Sequence, residues 1–312
     1  MFTATSKRSW QQVVILNSNY NFNIMRSIIL LIGILAVLSC KTTKQGSDAS
    51  GYNEPPPKTV MDAMDPELNL VTDVTWASPE GFDLTMDIYT PNTGRTNYPV
   101  IVMFHGGGWL INDKSIMKEP ADYLARHGEY VVCNVNYRLL VDQENTVTID
   151  EIIEDAFGAV LWVKSNIAKY KGDPSRLIVT GDSAGGHLAS MVATHGDRLS
   201  SEGIKGEPWG FNPSWLPANT SAEQIARDQG LEVQAAIISY GAYDLTKRVS
   251  DGFETSSNIF WTLAQAEPRG LFGKGTTFDS HPELYERASA NYNLLAAKDK
   301  TFPPMLFTAG ER

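Results

Sequence analysis

Cysteine is scarce in this chain, because only Cys40 and Cys133 occur in 312 residues. Two cysteines cannot build a disulfide framework, so the fold has to be held together by its apolar core. The five histidines are scattered, and no cysteine–histidine cluster has the spacing of metal ligands. We therefore expect neither a metal nor another cofactor.

The sequence also has fewer basic than acidic residues, and it has no long apolar run. The sequence has 26 Lys and Arg against 36 Asp and Glu, which gives a formal net charge of −10. Nucleic-acid binding requires basic patches, so this balance argues against a nucleic-acid partner. The apolar run 28–38 is shorter than the roughly 20 residues that a membrane-spanning helix needs. With 42% hydrophobic residues, the chain can still bury a sizeable core.

The apolar run 28–38 fits an export signal instead. It follows Met25 and Arg26 and leads into Val37-Leu38-Ser39-Cys40, which resembles a bacterial lipobox. This resemblance implies a signal peptide over residues 25–39, cleavage before Cys40 and acylation of its thiol. The protein would then be an exported lipoprotein, periplasmic or on the cell surface, and held on the membrane by its lipid. The alternative is an ordinary secretory signal with a chance cysteine.

The segments on either side of this signal are not expected to belong to the folded domain. Residues 1–24 would place a polar stretch before the signal, as an upstream extension from a misplaced start would. Residues 40–58 are rich in Lys, Thr, Ser, Gly and Pro and cannot bury enough apolar surface to fold. We expect them to be a tether that holds a folded domain, residues 59–312, off a membrane surface. Cys133, inside an apolar run, is expected to be a small buried hydrophobic residue.

Two glycine-rich turns carry most of the chemical information. They are His105-Gly106-Gly107-Gly108-Trp109 and Gly181-Asp182-Ser183-Ala184-Gly185-Gly186-His187, and each follows a short apolar run that is typical of a strand. A Gly-x-Ser-x-Gly turn after a strand places the serine at a tight strand-to-helix corner with its hydroxyl exposed. Ser183 is therefore the candidate nucleophile.

The same two turns can stabilise a developing negative charge. Backbone N–H groups of Gly106 and Gly107 can donate hydrogen bonds to an oxyanion, with the N–H of Ala184 as a further donor. The two turns come in the order that a strand, serine corner and helix require. Together these residues predict acyl transfer by a serine nucleophile.

With these residues the chain resembles the α/β-hydrolase carboxylesterases, specifically the hormone-sensitive-lipase-like branch and its relatives that deacylate carbohydrates. The resemblance runs from about residue 70 to the end of the chain and implies an acyl-enzyme mechanism without a cofactor. It also implies that the substrate is a small-molecule or carbohydrate ester with an acetyl or aryl group. Besides the two turns, the matching residues are Asp113-Lys114, Asn136 to Leu139, Asp173 to Arg176, Tyr240 to Asp244 and Pro303 to Phe307.

The order of predicted elements agrees with an α/β-hydrolase fold, a mostly parallel sheet flanked by helices. The stretch 149–170 has the apolar face of a helix, on which Asp155 is expected to be a solvated or hydrogen-bonded residue rather than a catalytic one. The sheet would lack the last strand and helix of the fold, which would leave strand 305–309 as an exposed, aggregation-prone edge. Strands are predicted at 70–76, 84–89, 100–105, 130–135, 177–181, 233–239 and 305–309.

The catalytic triad of this family is expected to be incomplete in the chain. The family order is Ser, then Asp or Glu just after the strand that corresponds to 305–309, then His one strand later. The chain ends at Arg312 and its last histidine is His281, so we expect the triad acid and histidine to be absent from it. Glu311 lies near the place of the acid, and Asp244 follows strand 233–239. Neither acid can complete a catalytic triad without an imidazole beside Ser183.

We do not expect any other histidine to replace the missing base. His187 lies on the helix behind Ser183, and His105 belongs to the first turn, where it has a structural reading. The remaining three look like surface or loop residues: His127, His195 and His281.

Three functions compete on this evidence. Loss of triad members typically costs on the order of a millionfold in turnover, so the chain as given is expected to be close to inactive. The favoured reading is an esterase whose gene product is incomplete at its C-terminus, since both turns are intact and the ending falls inside the fold. The second is a lipid-anchored protein that lost catalysis and kept a ligand-binding cleft. The third, a peptidase of the same fold, usually carries a propeller domain for which this chain has no room.

Substrate choice is expected to depend on two long segments, 197–230 and 246–302, around the cleft. Aromatic side chains in these segments could form a sugar platform, an acyl pocket, or simply the core of the inserted segments. The residues concerned are Trp209, Phe211, Trp215, Phe253, Phe260 and Trp261.

Overall fold

A mixed seven-stranded sheet forms the centre of the part of the chain that the computed structural model describes, residues 67–296 and 300–310. The strands are β1 (Leu68–Ala77), β2 (Leu84–Pro91), β3 (Tyr98–Phe104), β4 (Val131–Val135), β5 (Gly172–Asp182), β6 (Ala235–Ser239) and β7 (Met305–Thr308). They lie in the order β1-β2-β4-β3-β5-β6-β7. The pairs β1–β2 and β2–β4 are antiparallel, and the other four pairs are parallel. All seven predicted strands are thus confirmed.

Helices cover both faces of this sheet, as the alternation of elements predicts. They are α1 (Lys118–Gly128), α2 (Asp142–Asn145), α3 (Ile149–Asn166), α4 (Ala184–His195), α5 (Ala222–Arg227), α6 (Leu245–Ser250), α7 (Ile259–Leu263) and α8 (Pro282–Arg287). The predicted helix 149–170 is confirmed as α3, followed by a 3-10 turn at Ile167–Tyr170. A capping box formed by Thr148 and Glu151 starts α3.

The core lies on both sides of the parallel strands. Along β3, Val100 and Phe104 belong to the larger apolar cluster, which also contains α3 and α4, whereas Ile101 and Met103 belong to a smaller cluster with α1. Alternate residues of a strand point to opposite faces, so a continuous apolar run is what a strand buried on both faces requires. Cys133 on β4 is fully buried, as predicted, and burial raises the pKa of its thiol.

Among residues 67–296 and 300–310, β7 is the outermost strand on this side of the sheet, and it pairs with β6. Leu306 is 42% and Phe307 is 54% exposed, so this strand presents apolar side chains to solvent, as expected of an edge. No helix in residues 67–296 or 300–310 has the length and apolar character needed to cross a bilayer. The predicted export signal, the tether, Cys40 and Glu311 all lie outside the described residues.

The register of β3 and β5 decides where the two glycine-rich turns meet. These strands are parallel neighbours, with Phe104 opposite Gly181 at their carboxyl ends. The turn that follows β3 and the corner that follows β5 therefore emerge side by side at one edge of the sheet. In open α/β sheets, this edge is where ligands bind.

Candidate active site

Ser183 is the corner residue between β5 and α4, and its backbone is strained. Its φ of 52° and ψ of −112° are unfavourable for a residue with a side chain. The corner is held from two sides, since the N–H of Ser183 donates to the Ser239 carbonyl at 2.9 Å. The carbonyl of Ser183 accepts from the N–H groups of His187 at 3.0 Å and Ala242 at 3.3 Å. The predicted strand-to-helix corner is present, with Ser183 half-buried at its tip.

The glycine two residues after Ser183 is required by packing. A Cβ atom on Gly185 would collide with the backbone carbonyl of Phe104 at the end of β3. Glycine therefore lets α4 begin directly against the neighbouring strand. This close approach brings the serine corner up to the turn that follows β3.

The turn His105–Gly108 is shaped by its own side-chain and backbone contacts. Gly107 has a φ of +129°, and a Cβ atom there would overlap the carbonyl of Ile111. The carbonyl oxygen of Gly106 accepts from Nδ2 of Asn112 at 3.3 Å and lies 2.9 Å from Nδ1 of His105. Since a carbonyl can only accept, Nδ1 of His105 carries the proton.

Tyr137 fixes His105 from the other side. Its hydroxyl donates to the His105 carbonyl at 2.5 Å, and the two rings stack with centroids 4.4 Å apart. Both side chains are buried, and burial lowers the pKa of His105, which favours the neutral form of its ring. His105 is therefore a structural part of the turn, as the sequence reading expected.

The predicted oxyanion donors lie at this edge without competing partners. The N–H groups of Gly106 and Gly107 have no acceptor among the described residues. Ala184 is the first residue of α4, a position whose N–H has no acceptor within the helix. The N–H of Gly108 is likewise without an acceptor in the described part of the chain, so it is a further candidate donor, which the sequence analysis did not name. The only feature of the sequence that could have identified Gly108 is its place as the third glycine of the turn.

Asp182 joins the serine corner to the glycine turn. A Cβ atom placed on Gly106 would lie 2.5 Å from Oδ2 of Asp182. The Asp182 carboxylate therefore packs directly against the backbone of Gly106. The hydroxyl of Tyr240, a residue with a φ of 40°, donates to the same oxygen at 3.1 Å. Sequence reasoning gave Asp182 and Tyr240 no separate role, because their contact joins residues that are distant in the chain.

A row of aromatic rings continues from the site into segment 246–302. Trp109 packs edge-on against His187 at 5.3 Å and against Phe253 at 5.5 Å between ring centroids. Phe253 in turn lies 6.4 Å from the ring of Trp261, whose Nε1 donates to the Phe253 carbonyl at 2.7 Å. The row connects α4, the glycine turn and α7. Of the six predicted aromatic residues of the two inserts, Phe211, Phe253 and Trp261 are buried in the core, and Trp209, Trp215 and Phe260 are partly buried against it.

None of the five histidines, all of which are described, forms a hydrogen bond with Ser183. Nε2 of His187 lies 2.8 Å from the Ala288 carbonyl, and burial lowers the pKa of this ring to about 4. His127 and His281 are exposed, as predicted. The surface prediction for His195 is wrong. This residue is 1% exposed, because segment 291–293 packs over the end of α4 and places the Tyr292 carbonyl 3.1 Å from its Nε2.

The acidic candidates also have structural roles. Asp244 is the N-cap of α6 and accepts from the N–H of Lys247 at 3.0 Å. Asp155 is buried and paired with Arg138, which confirms the hydrogen-bonded helix residue that was expected. Within residues 67–296 and 300–310, no group of three or more His, Cys, Asp or Glu is arranged to hold a metal ion.

Comparisons with known proteins agree with this geometry. The BD-FAE family model matches residues 86–312. Carboxylesterase NlhH of Mycobacterium tuberculosis is 35% identical over 135 residues, which are 43% of this chain and 40% of that protein. Versiconal hemiacetal acetate esterase of Dothistroma septosporum is 28% identical over 251 residues, or 80% of this chain and 66% of that protein. The chain thus spans less than half the length of the first of these relatives.

Solved structures identify the fold. The apo form of Thermogutta terrifontis esterase 2 superposes with a TM-score of 0.51 at 20% identity, and covers 81% of this chain and 73% of its own. A hyperthermophilic esterase from Pyrobaculum calidifontis has the same TM-score at 23% identity, with 77% and 65% covered. The predicted α/β-hydrolase fold, a mostly parallel sheet flanked by helices, is thereby confirmed.

Proposed function

The chain belongs to the BD-FAE family, and from that premise we propose that it is a serine carboxylesterase that cleaves acyl esters through an acyl-enzyme. One observation carries the proposal: the strained corner at Ser183 lies beside a glycine turn whose N–H groups lack acceptors in the described residues. A nucleophile next to preorganised donors is the arrangement that acyl transfer requires. The esterase names of the relatives add support.

The proposed reaction has two halves. The hydroxyl of Ser183 loses its proton to a base while Oγ bonds to the ester carbonyl carbon. The N–H groups of Gly106, Gly107 and Ala184 hold the oxyanion that forms. The bond to the alcohol then breaks, and the alcohol leaves with the proton. Water attacks the acyl-enzyme in the same way and releases the carboxylic acid.

The described residues offer Ser183 no general base, since none of the five histidines is hydrogen-bonded to it. We propose that residues 1–312 alone turn over slowly, and that what activity they have comes from the serine and the oxyanion donors. Such remnants give roughly a thousandfold to ten-thousandfold over water. Exogenous imidazole, added over a concentration series, supplies a base in solution. After the rate that imidazole alone gives with the ester is subtracted, it should accelerate ester cleavage by the parent chain and leave no remaining acceleration with Ser183→Ala.

The direct test is acylation of Ser183. We expect p-nitrophenyl acetate to acetylate the chain, with the added acetyl group mapped to Ser183 by peptide mass spectrometry. Ser183→Ala should remain unmodified at the same pH and reagent concentration. Equal labelling of the variant, or labelling confined to surface lysines, would contradict the proposal.

A non-catalytic role is the second candidate, and the observation that favours it is the absence of a histidine bonded to Ser183 among the five described. In that case the cleft would bind a carbohydrate or small-molecule ester without cleaving it. Calorimetry with acetylated xylo-oligosaccharides separates the two. Binding that is equal in the parent chain and Ser183→Ala, with no acetate released even in imidazole, would favour the binding protein. Acetate release that needs Ser183 would favour a carbohydrate esterase.

We further propose that the protein is exported and tethered by a lipid on Cys40, on the sequence evidence of Val37-Leu38-Ser39-Cys40 alone. Expression in a bacterium with a radiolabelled fatty acid tests this. The label should enter the parent protein and be absent from Cys40→Ala, while Cys133→Ala serves as the matched cysteine control. Equal labelling of parent and Cys40→Ala would exclude the lipid.

A further inference from the structure

Phe260 on α7 lies directly over the glycine turn. A Cβ atom placed on Gly108 would be 3.0 to 3.2 Å from three ring atoms of Phe260, which is closer than ordinary side-chain contacts. The ring therefore fills the space beside the third glycine of the turn. Gly107, the residue before Gly108, is one of the proposed oxyanion donors, so the ring lies one residue away from the proposed place of the ester carbonyl.

The ring of Phe260 is held in place by the core behind it. The next residue, Trp261, is 1% exposed and belongs to the aromatic row that includes Phe253 and Trp109. The N–H of Phe260 also donates to Oδ1 of Asn258, the N-cap of α7, at 2.9 Å. Phe260 itself is partly buried and packs against the same core, so its ring forms a wall beside the turn that limits the shapes a site accepts.

We propose that Phe260 is a specificity-determining residue that sets the size of the acyl group beside the oxyanion turn. This inference depends on the proposed esterase function. The acyl group, unlike the alcohol, stays attached to Ser183 with its carbonyl oxygen at the turn through both halves of the reaction. A wall fixed to the turn therefore contacts the acyl group in both steps. It should favour short acyl groups, because a long chain would have to displace the ring.

Other apolar residues of α7 provide matched controls. Ile259 is 62% and Leu263 is 56% exposed, so both lie on the same short helix but are more exposed than Phe260, which is partly buried against the glycine turn. Substitution of either by alanine removes a comparable apolar side chain from α7. We expect these variants to keep the acyl-length preference of the parent.

The test uses two readouts. One is the ratio of kcat/KM for p-nitrophenyl octanoate to that for the acetate, measured with imidazole present and corrected for the rate that imidazole alone gives with each ester. The other is the ratio of Kd values for octyl and methyl boronic acids, whose alkyl group stands for the acyl chain in an adduct with Ser183. Phe260→Ala should raise the octanoate-to-acetate ratio of kcat/KM, and lower the octyl-to-methyl ratio of Kd, by about tenfold or more. Phe260→Trp should change both ratios in the opposite direction.

The outcomes separate this inference from the proposed function. If the parent chain neither cleaves acetate esters nor binds methyl boronic acid, the esterase proposal fails. If the parent is active and both Phe260 variants keep its length ratios, the role of Phe260 is refuted. A shift that occurs only when the alcohol of the ester is lengthened would also overturn it. Matching circular-dichroism spectra and melting temperatures for Phe260→Ala and Ile259→Ala check that the variants are folded.

Discussion

Arg138 and Asp155 are joined by three hydrogen bonds in the interior of the protein. The backbone N–H and Nε of Arg138 both donate to Oδ2 of Asp155 at 2.9 Å, and Nη2 donates to Oδ1 at 2.9 Å. Asp155 is fully buried and Arg138 is 3% exposed. This pair ties the segment after β4 to the middle of α3.

Removing one partner of this pair should destabilise the fold severely. Asp155→Ala leaves a buried guanidinium without its main partner, which typically costs about 3–5 kcal/mol. Chemical denaturation measures the loss. Asp251→Ala is the matched control, since the Lys247–Asp251 pair is largely exposed and should be worth at most about 1 kcal/mol. A small loss in Asp155→Ala would mean that solvent reaches Arg138.

Glu154, the neighbour of Asp155, should make stability fall as the pH rises. Burial raises the pKa of Glu154 to about 8 from its usual 4.5, so the unfolded chain loses this proton first. The stabilising effect of the protonated form is fully present below about pH 4.5 and is lost as the pH approaches 8. Glu154→Gln should therefore be more stable than the parent at pH 8.5, and the gap should close toward pH 4.5.

Glu223 is the control for Glu154, because its pKa is shifted in the opposite direction. Hydrogen bonds from the side chain and backbone of Ser201 hold the pKa of Glu223 at about 2, below its usual 4.5. Its contribution is present above about pH 4.5 and is lost as the pH falls toward 2. Glu223→Gln should therefore be less stable than the parent at neutral pH. Thermal melts of both variants across the pH range measure the two trends, and parallel trends would contradict the assignment.

Strain at Ser183 should be measurable as stability. Its positive φ costs on the order of 1–3 kcal/mol for a residue with a side chain, and glycine does not bear this cost. Ser183→Gly should be about 1 kcal/mol more stable than Ser183→Ala in urea unfolding, after the greater freedom of glycine in the unfolded chain is allowed for. Neither variant should be acylated. If alanine proves equally stable, the corner carries little strain.

Gly107 should tolerate no side chain. Gly107→Ala combines a strained φ with an overlap against the Ile111 carbonyl, and should lose at least about 2 kcal/mol together with acylation of Ser183. Gly81→Ala is the comparison, because Gly81 has a φ of +82° with open space around it. That variant should lose only about 1 kcal/mol and keep acylation. Equal losses would show that the turn moves to make room.

Much of the fold could be predicted because its signals are local. Each strand is a short apolar run, and in β3 and β5 the run ends in a glycine-rich turn whose conformation few other residues allow. The serine corner follows from Gly181, Ser183 and Gly185, whose spacing is itself the structural requirement. The same two turns predict the candidate nucleophile and its oxyanion donors from the sequence alone.

What could not be predicted depends on contacts between distant segments. The contact of Phe260 with Gly108 joins residues far apart in the chain, and no periodicity marks it. His195 ends a helix and reads as a surface residue, yet residue 292 packs over it. The exposed face of a helix can be deduced from its own sequence only when no distant segment of the chain packs against that face.

The position of β7 has a consequence for the order of folding. Its neighbour β6 ends at Ser239, so their pairing has to close the whole segment 240–304, whereas β1 and β2 are joined by a short turn. Closing a long loop costs more chain entropy, and contacts between distant residues form slowly. The β6–β7 ladder should therefore be a late event in folding and an early one in unfolding. The corner at Ser183 is hydrogen-bonded to Ser239 at the end of β6, the strand on which β7 pairs, so it lies beside the last part of the sheet to form.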